Sequence, residues 1–182
     1  IAEDLTIVGD NVEANSHYGF GPTSSAIVVS DAAFKNIVFR NGIVGIDASA
    51  MDGCFVSGGK IGPLVGTTSG RGYGIAGGTN SKNISVVGTH FYRCSRHSLY
   101  YGATIGGTVS GCIFEEHGYG ATPSQLSALV LARMHGQTAT GNTFINCVHN
   151  PAEITDSSSI AGTMQGSAFV GNTLRGCKKP IV

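Results

Sequence analysis

Ala139-Thr140-Gly141-Asn142-Thr143-Phe144, trailed by Cys147, returns 30 residues later as Phe169-Val170-Gly171-Asn172-Thr173-Leu174, trailed by Cys177. Each passage sets an apolar residue two before a glycine and a large apolar residue three after it. Val86-Val87-Gly88-Thr89-His90-Phe91 and Val109-Ser110-Gly111-Cys112-Ile113-Phe114 share the frame, with Cys94 and His117 at the trailing position. Working backwards, Phe34-Lys35-Asn36, Met51-Asp52-Gly53 and Ile7-Val8-Gly9 supply three more anchors. The seven anchors, Gly9, Asn36, Gly53, Gly88, Gly111, Gly141 and Gly171, recur every 27 residues on average. Short alternating apolar segments read as strands, and Gly or Asn provides the bend between them.

A solenoid accounts for this phase. Each turn of chain lays down short strands, and each strand pairs with its counterpart one turn on, about 4.8 Å away. The position three after the anchor reads Val12, Phe39, Val56, Phe91, Phe114, Phe144 and Leu174. The position two before it reads Ile7, Phe34, Met51, Val86, Val109, Ala139 and Phe169. Both columns are apolar throughout and are expected to point inward. The interval irregularity at Gly53 marks that anchor as the one open to a shift of several residues. A single domain over 1–182 follows, with a long loop excursion at 58–81 and a corner insertion at 117–126.

Composition agrees. The 182 residues include 28 Gly and no Trp, and 15 Ile and 15 Val stand against 7 Leu. β-branched residues favour pleated surfaces, whereas helical bundles favour Leu, Ala, Glu and Lys. Eleven basic and eleven acidic residues balance, with no run longer than Lys178-Lys179. That leaves no basic stripe for nucleic acid or an anionic membrane surface. No apolar run approaches the roughly 18 residues of a membrane span, so no membrane insertion is expected. The chain begins at Ile1 without a charged and apolar leader, which suits a segment of a longer protein. Its five cysteines are an odd number without zinc spacing and read as free, buried thiols.

The Gly-Asn-Thr-Phe and Gly-Asn-Thr-Leu corners with trailing Cys, in Thr140–Cys147 and Val170–Cys177, resemble the right-handed parallel β-helix of the pectate-lyase-like superfamily. The segments Phe34–Phe39 and Ser81–Val86 resemble its strand entries. The likeness extends from about Ile27 onward and is closest to the body of bacteriophage tailspikes and capsule depolymerases. It implies an all-β solenoid of about seven turns, a homotrimer on the virion tail, and binding and cleavage of bacterial surface polysaccharide. From the residues themselves no cofactor is expected, and no clustered Asp series announces a metal, although a lyase would need a charge-neutralising cation for which Arg133 or a bound metal could serve. The alternatives are a noncatalytic glycan-binding or structural segment, and a bacterial carbohydrate lyase or epimerase of the same architecture.

Glycan hydrolysis needs a general acid and a second carboxyl. Glu115 and Glu116 follow the Gly111 anchor at outer positions, and stacking places Tyr92 and Arg93 one turn earlier. Acid, cation and aromatic ring on one face suit a sugar. The alternative is a solvated corner in which Glu116 simply pairs with Arg93, a contact of little energetic weight. A second cluster follows from treating Ile46-Asp47, Leu99-Tyr100-Tyr101, Leu131-Ala132-Arg133 and Ile154-Thr155-Asp156 as equivalent strands. Glu153 and Asp156 are then further catalytic candidates, with Asp47, Tyr100 and Arg133 as substrate-binding candidates. The simpler reading, which leads, is that these are solvated polar side chains with no shared role.

Other motifs carry less. Gly72–Gly77 matches GxGxxG but lacks a preceding strand and a following helix, so it reads as a loop. Asn83-Ile84-Ser85 fits a glycosylation sequon inside an expected strand. His117 shares a column with cysteines and reads as packed, while His97, His135 and His149 have no partner visible in the sequence.

Overall fold

Three-residue strands with only the central side chain buried are the unit of this architecture. In His90–Tyr92 and Thr143–Ile145 the middle phenylalanine is buried while both neighbours are half-exposed, as the period-2 alternation of a strand demands. In the computed structural model these units stack as a parallel β-helix of three sheets. The structure describes all residues except 10–17, 21–28, 67–70, 79–80, 103, 119–126, 133–134, 156–165, 180 and 182.

The first sheet follows the order Ala2–Glu3, Ala33–Lys35, Phe55–Ser57, Lys82–Val87, Ile105–Ser110, His135–Thr140 and Ala168–Val170, with Val29–Ser30 and Met51–Asp52 joining at its side. The second runs Thr6–Val8, Val38–Arg40, Lys60–Ile61, His90–Tyr92, Ile113–Glu115, Thr143–Ile145 and Thr173–Arg175. The third runs Tyr18–Phe20, Val44–Asp47, Tyr73–Gly77, Leu99–Tyr101, Ser127–Ala132 and Asn150–Thr155. Every strand pairing is parallel, each strand meeting its counterpart from the next turn of chain.

Register defines the inner columns. Ile7, Phe39, Ile61, Phe91, Phe114, Phe144 and Leu174 align along the second sheet. Ala2, Phe34, Val56, Val86, Val109, Ala139 and Phe169 align along the first. Phe91, Phe114 and Phe144 stack nearly parallel, with ring centroids 5.1 and 4.8 Å apart. One continuous apolar core results.

These columns correct two of the seven anchors. The bend between first and second sheets is made by Asp4, Asn36, Gly58, Gly88, Gly111, Gly141 and Gly171, all with φ between 51° and 66°. Gly53 is also left-handed, but it belongs to a different corner, in line with Asp31, Asn83, Gly106, Gly136 and Gly166. Both ends of the first sheet need a left-handed residue, which Gly and Asn adopt at least cost, so a glycine alone does not reveal its corner. Ile7 therefore sits in the second sheet's column and Val56 in the first's, while Met51 pairs with Val29. Val12 lies outside the described residues.

The stretch 58–81 contains the strands Lys60–Ile61 and Tyr73–Gly77 and so is not one uninterrupted loop. Gly72–Gly77 is accordingly mostly strand. Its Gly74 lets the Phe91 ring approach to where a Cβ would stand 2.7 Å from it. Of the 117–126 corner, His117 and Gly118 are described and the remainder is not. Cys54, Cys94, Cys112 and Cys147 are free and buried, and Cys177 is free and half-buried. Burial pushes the Cys54 and Cys94 thiols up to about 12.

Candidate functional site on the outer face of the second sheet

Outward positions of the second sheet collect polar side chains over three successive turns. Register puts Lys60 beside His90 and Tyr92 beside Glu115. His90 then reaches diagonally across one turn, and its Nε2–H donates to Glu115 Oε2 at 2.7 Å. Both side chains are 29% exposed, so solvent reaches the pair. The Lys60 ammonium lies 4.3 Å from the Tyr92 ring centroid, and the Arg93 guanidinium carbon lies 5.8 Å from it. These are cation–π distances. His90 meets the same ring edge-on at 6.2 Å.

Arg93 and Glu116 occupy the corner after this sheet. Arg93 Nε lies 3.1 Å from Glu116 Oε2. In the same corner column stand Asn41, Asn146 and Gly176, and every one of these residues has positive φ. Arg93 and Glu116 adopt φ of 49°, a conformation that disfavours long side chains but that Asn and Gly tolerate. Two charged residues thus occupy places for which neighbouring turns use the residues suited to the backbone.

The expected grouping of Tyr92, Arg93, Glu115 and Glu116 is therefore present as geometry, together with the Arg93–Glu116 pair of the simpler surface reading. Sequence reasoning missed His90 and Lys60. His90 stands inside the Val86–Phe91 repeat segment, one residue before the inward Phe91, and alternation alone assigns it outward. Lys60 is hidden in the sequence because its two-residue strand lies inside the Gly- and Thr-rich stretch 58–81.

Asp47, Tyr100 and Glu153 lie elsewhere, on the outer face of the third sheet. Their row reads Asp47, Ala76, Tyr100, Val130 and Glu153. Leu99 pairs with Leu129, not Leu131, so the equivalence taken from the sequence was two residues out of step. A shift of two preserves the face of a strand and moves only its position along the turn. Arg133 and Asp156 lie outside the described residues.

Glu153 Oε2 accepts the Ser127 hydroxyl at 2.8 Å. His97 Nδ1–H donates to the Ser127 carbonyl at 2.8 Å. Burial lowers the His97 pKa to about 4, so at neutral pH the ring is uncharged and its Nε2 carries the lone pair. Tyr73, His97 and Tyr100 form a triangle with centroids 5.2 to 5.5 Å apart. Next to it, Val44, Asp47, Ser49, Tyr73, Ala76, Gly77, Gly78 and Tyr100 line a cleft of about 250 Å³. His117 is fully buried, in keeping with a packed imidazole.

Among the described residues, no three His, Cys, Asp or Glu side chains converge as metal donors. No family model, curated protein or solved structure matches the chain.

Proposed function

We propose that this β-helix is the body of a tailspike-type protein of the pectate-lyase-like architecture, binding bacterial surface polysaccharide and cleaving it on the second sheet's outer face. In this reading the chain acts as a homotrimer on a phage tail. The observation that carries the proposal is the placement of Arg93 and Glu116. Strained backbone at positions where Asn or Gly would sit more easily is a feature that accompanies functional sites. Here the two charges adjoin the His90–Glu115 pair and the Tyr92 ring.

The side chains suit the chemistry. Tyr92 offers an aromatic edge and face to a sugar, while Lys60 and Arg93 supply donors to its oxygens. The hydrogen bond to Glu115 orients the His90 imidazole and couples its proton to a carboxylate, an arrangement suited to general acid–base work. Glu116 supplies a second carboxyl, as glycoside hydrolysis requires. The same imidazole, with Arg93 neutralising an acidic sugar, would serve an elimination.

A noncatalytic glycan-binding module is the second reading. It is favoured by the engagement of both carboxylates, Glu115 with His90 and Glu116 with Arg93.

Incubation with a panel of capsular and O-antigen polysaccharides separates these readings. New reducing ends without ultraviolet absorbance indicate hydrolysis, and an absorbing unsaturated product indicates elimination. Binding without either product selects the noncatalytic module. Cleavage that survives unchanged in Glu115→Gln, His90→Gln and Glu116→Gln would remove this face from catalysis.

A further inference from the structure

Outside the third sheet, the cleft of about 250 Å³ brings two tyrosine rings and one carboxylate together. Val44, Tyr73, Ala76 and Tyr100 supply its apolar surface, and Asp47 and Ser49 supply polar atoms. Register explains the opening. Asp47, Ala76 and Tyr100 follow one another on three successive turns, so a small alanine separates the carboxylate from the ring. With turns about 4.8 Å apart, a ligand over Ala76 stands about 5 Å from the turn on either side. Val130, the next residue of the row, is buried, so the row is closed beyond Tyr100.

Tyr100 is half-exposed, and Tyr73 and His97 hold its ring at 5.5 and 5.2 Å. Gly102 makes room for it, since a Cβ there would lie 2.3 Å from a ring carbon. Tyr73 is buried and already takes the guanidinium of the buried Arg96 at 5.6 Å, so Tyr100 is the ring that meets a ligand. Asp47 is oriented by the Ser49 backbone N–H, which donates to its Oδ1 at 3.0 Å. No other hydrogen bond or ion pair engages this carboxylate among the described residues. Among the described residues of the lining there is no basic side chain.

An aromatic face near an unpaired carboxylate selects a cation, because the ring quadrupole and the negative charge attract the same ligand. A neutral ligand would cover the carboxylate without pairing it, at a cost, and an anion would meet a like charge. Among the described residues no donor set converges for a metal ion, and the apolar lining suits a cation that carries hydrocarbon. We propose that this cleft binds a quaternary ammonium group, its N-methyl groups packed on Tyr100 and Ala76 and its charge balanced by Asp47. A primary ammonium is disfavoured, since its three donors would face mostly hydrocarbon. The volume lies below the roughly 300–1,000 Å³ of sites for drug-sized ligands, in keeping with a head group the size of choline. The inference is independent of the polysaccharide reading and gives the third sheet a site of its own.

The test titrates the intact protein with choline, with its uncharged carbon isostere dimethylbutanol, and with ethanolamine as the primary ammonium. Calorimetry gives affinity, and tyrosine emission reports contact with the ring, since the chain has six Tyr and no Trp. Choline should bind with a Kd of about 1 mM or tighter, and at least about tenfold tighter than either other probe. Asp47→Asn and Tyr100→Leu should each weaken choline binding by about tenfold. Tyr100→Phe keeps a ring face and should bind as the parent does. Circular dichroism shows whether each variant is folded, and if Tyr100→Leu is not, the half-exposed Asp47→Asn carries the test. Four results overturn the inference: equal affinity for the uncharged probe, tighter binding of ethanolamine, no choline binding at about 10 mM, or unchanged choline affinity in Asp47→Asn. Any of them leaves polysaccharide cleavage on the second sheet to stand or fall by its own assay.

Discussion

His90 and Glu115 lie on successive turns of the β-helix and are joined at 2.7 Å across the outer face of the second sheet. Neither is directly opposite the other, because His90 pairs in register with Ile113 and Glu115 with Tyr92. The contact is diagonal, and it draws an imidazole, a carboxylate and an aromatic ring into one patch. A pair this accessible adds little to stability, roughly 0.2–1 kcal/mol in double-mutant cycles. Its effect on chemistry is expected to be much larger.

The first prediction uses that disparity. His90→Gln, Glu115→Gln and the double variant should show a coupling in urea unfolding of no more than about 1 kcal/mol. Turnover in the proposed polysaccharide cleavage should fall by about 10²–10⁴-fold in each, the range for a lost acid–base group. A turnover loss no larger than the stability change accounts for would make the pair structural.

Glu116 gives a prediction of opposite sign for stability and function. Its left-handed backbone is the conformation that Asn41 and Asn146 adopt in the same column. Replacement by Asn relieves a conformational cost of about 1 kcal/mol or more. It also removes a surface pair with Arg93 worth less than that. Glu116→Asn should therefore have a thermal midpoint no lower than the parent, while the proposed polysaccharide cleavage falls. A clear drop in midpoint would refute the strain assigned to this position.

Phe114 tests the core. Its ring is fully buried between Phe91 and Phe144, at 5.1 and 4.8 Å. Phe114→Ala opens a void in a stack where neither neighbour is free to collapse, because each is pinned by its own turn. The expected loss is about 3–5 kcal/mol by denaturant unfolding. Phe114→Leu should cost clearly less, since it keeps most of the volume. Equal losses for the two would mean that ring stacking, and not filled volume, dominates here.

His97 sets a pH dependence. Burial, opposed by the hydrogen bond to the Ser127 carbonyl, brings its pKa from 6.5 to about 4. Between those values the unfolded chain takes a proton that the folded state refuses. The stability it contributes is thus complete above about pH 6.5 and is lost as pH falls toward 4, on the order of 3 kcal/mol in all. Unfolding free energies from pH 4 to 7 should fall less steeply for His97→Asn, whose amide still has an N–H for the Ser127 carbonyl. Identical slopes would show that other groups carry the acid sensitivity.

How far the chain could be read depended on the range of each interaction. Gly141-Asn142-Thr143-Phe144 and its counterpart at Gly171 carry their turn chemistry locally, and so the stacked strands and the Phe91, Phe114 and Phe144 column were legible. Asn142 adds a bond between turns at constant phase: its side-chain N–H donates to the Val109 carbonyl, as that of Asn172 does to the Ala139 carbonyl. The same residue type at the same phase makes the same bond. Gly53 misled because two corners use the same conformation.

By itself, then, the sequence determined the all-β class, the parallel stacking implied by repeated phase, and the outward placement of Tyr92, Glu115 and Glu116. Tertiary structure alone decided which turn lies against which. Only the register puts His90 within 2.7 Å of Glu115 and sets Val130 between Tyr100 and Glu153. The reason is geometric. Alternation assigns a side chain to a face, whereas its neighbour on that face comes from another turn of chain 22 to 32 residues away in the pairings of the second sheet. That offset depends on how each corner closes, and corners of unequal length leave it open until the strands pair.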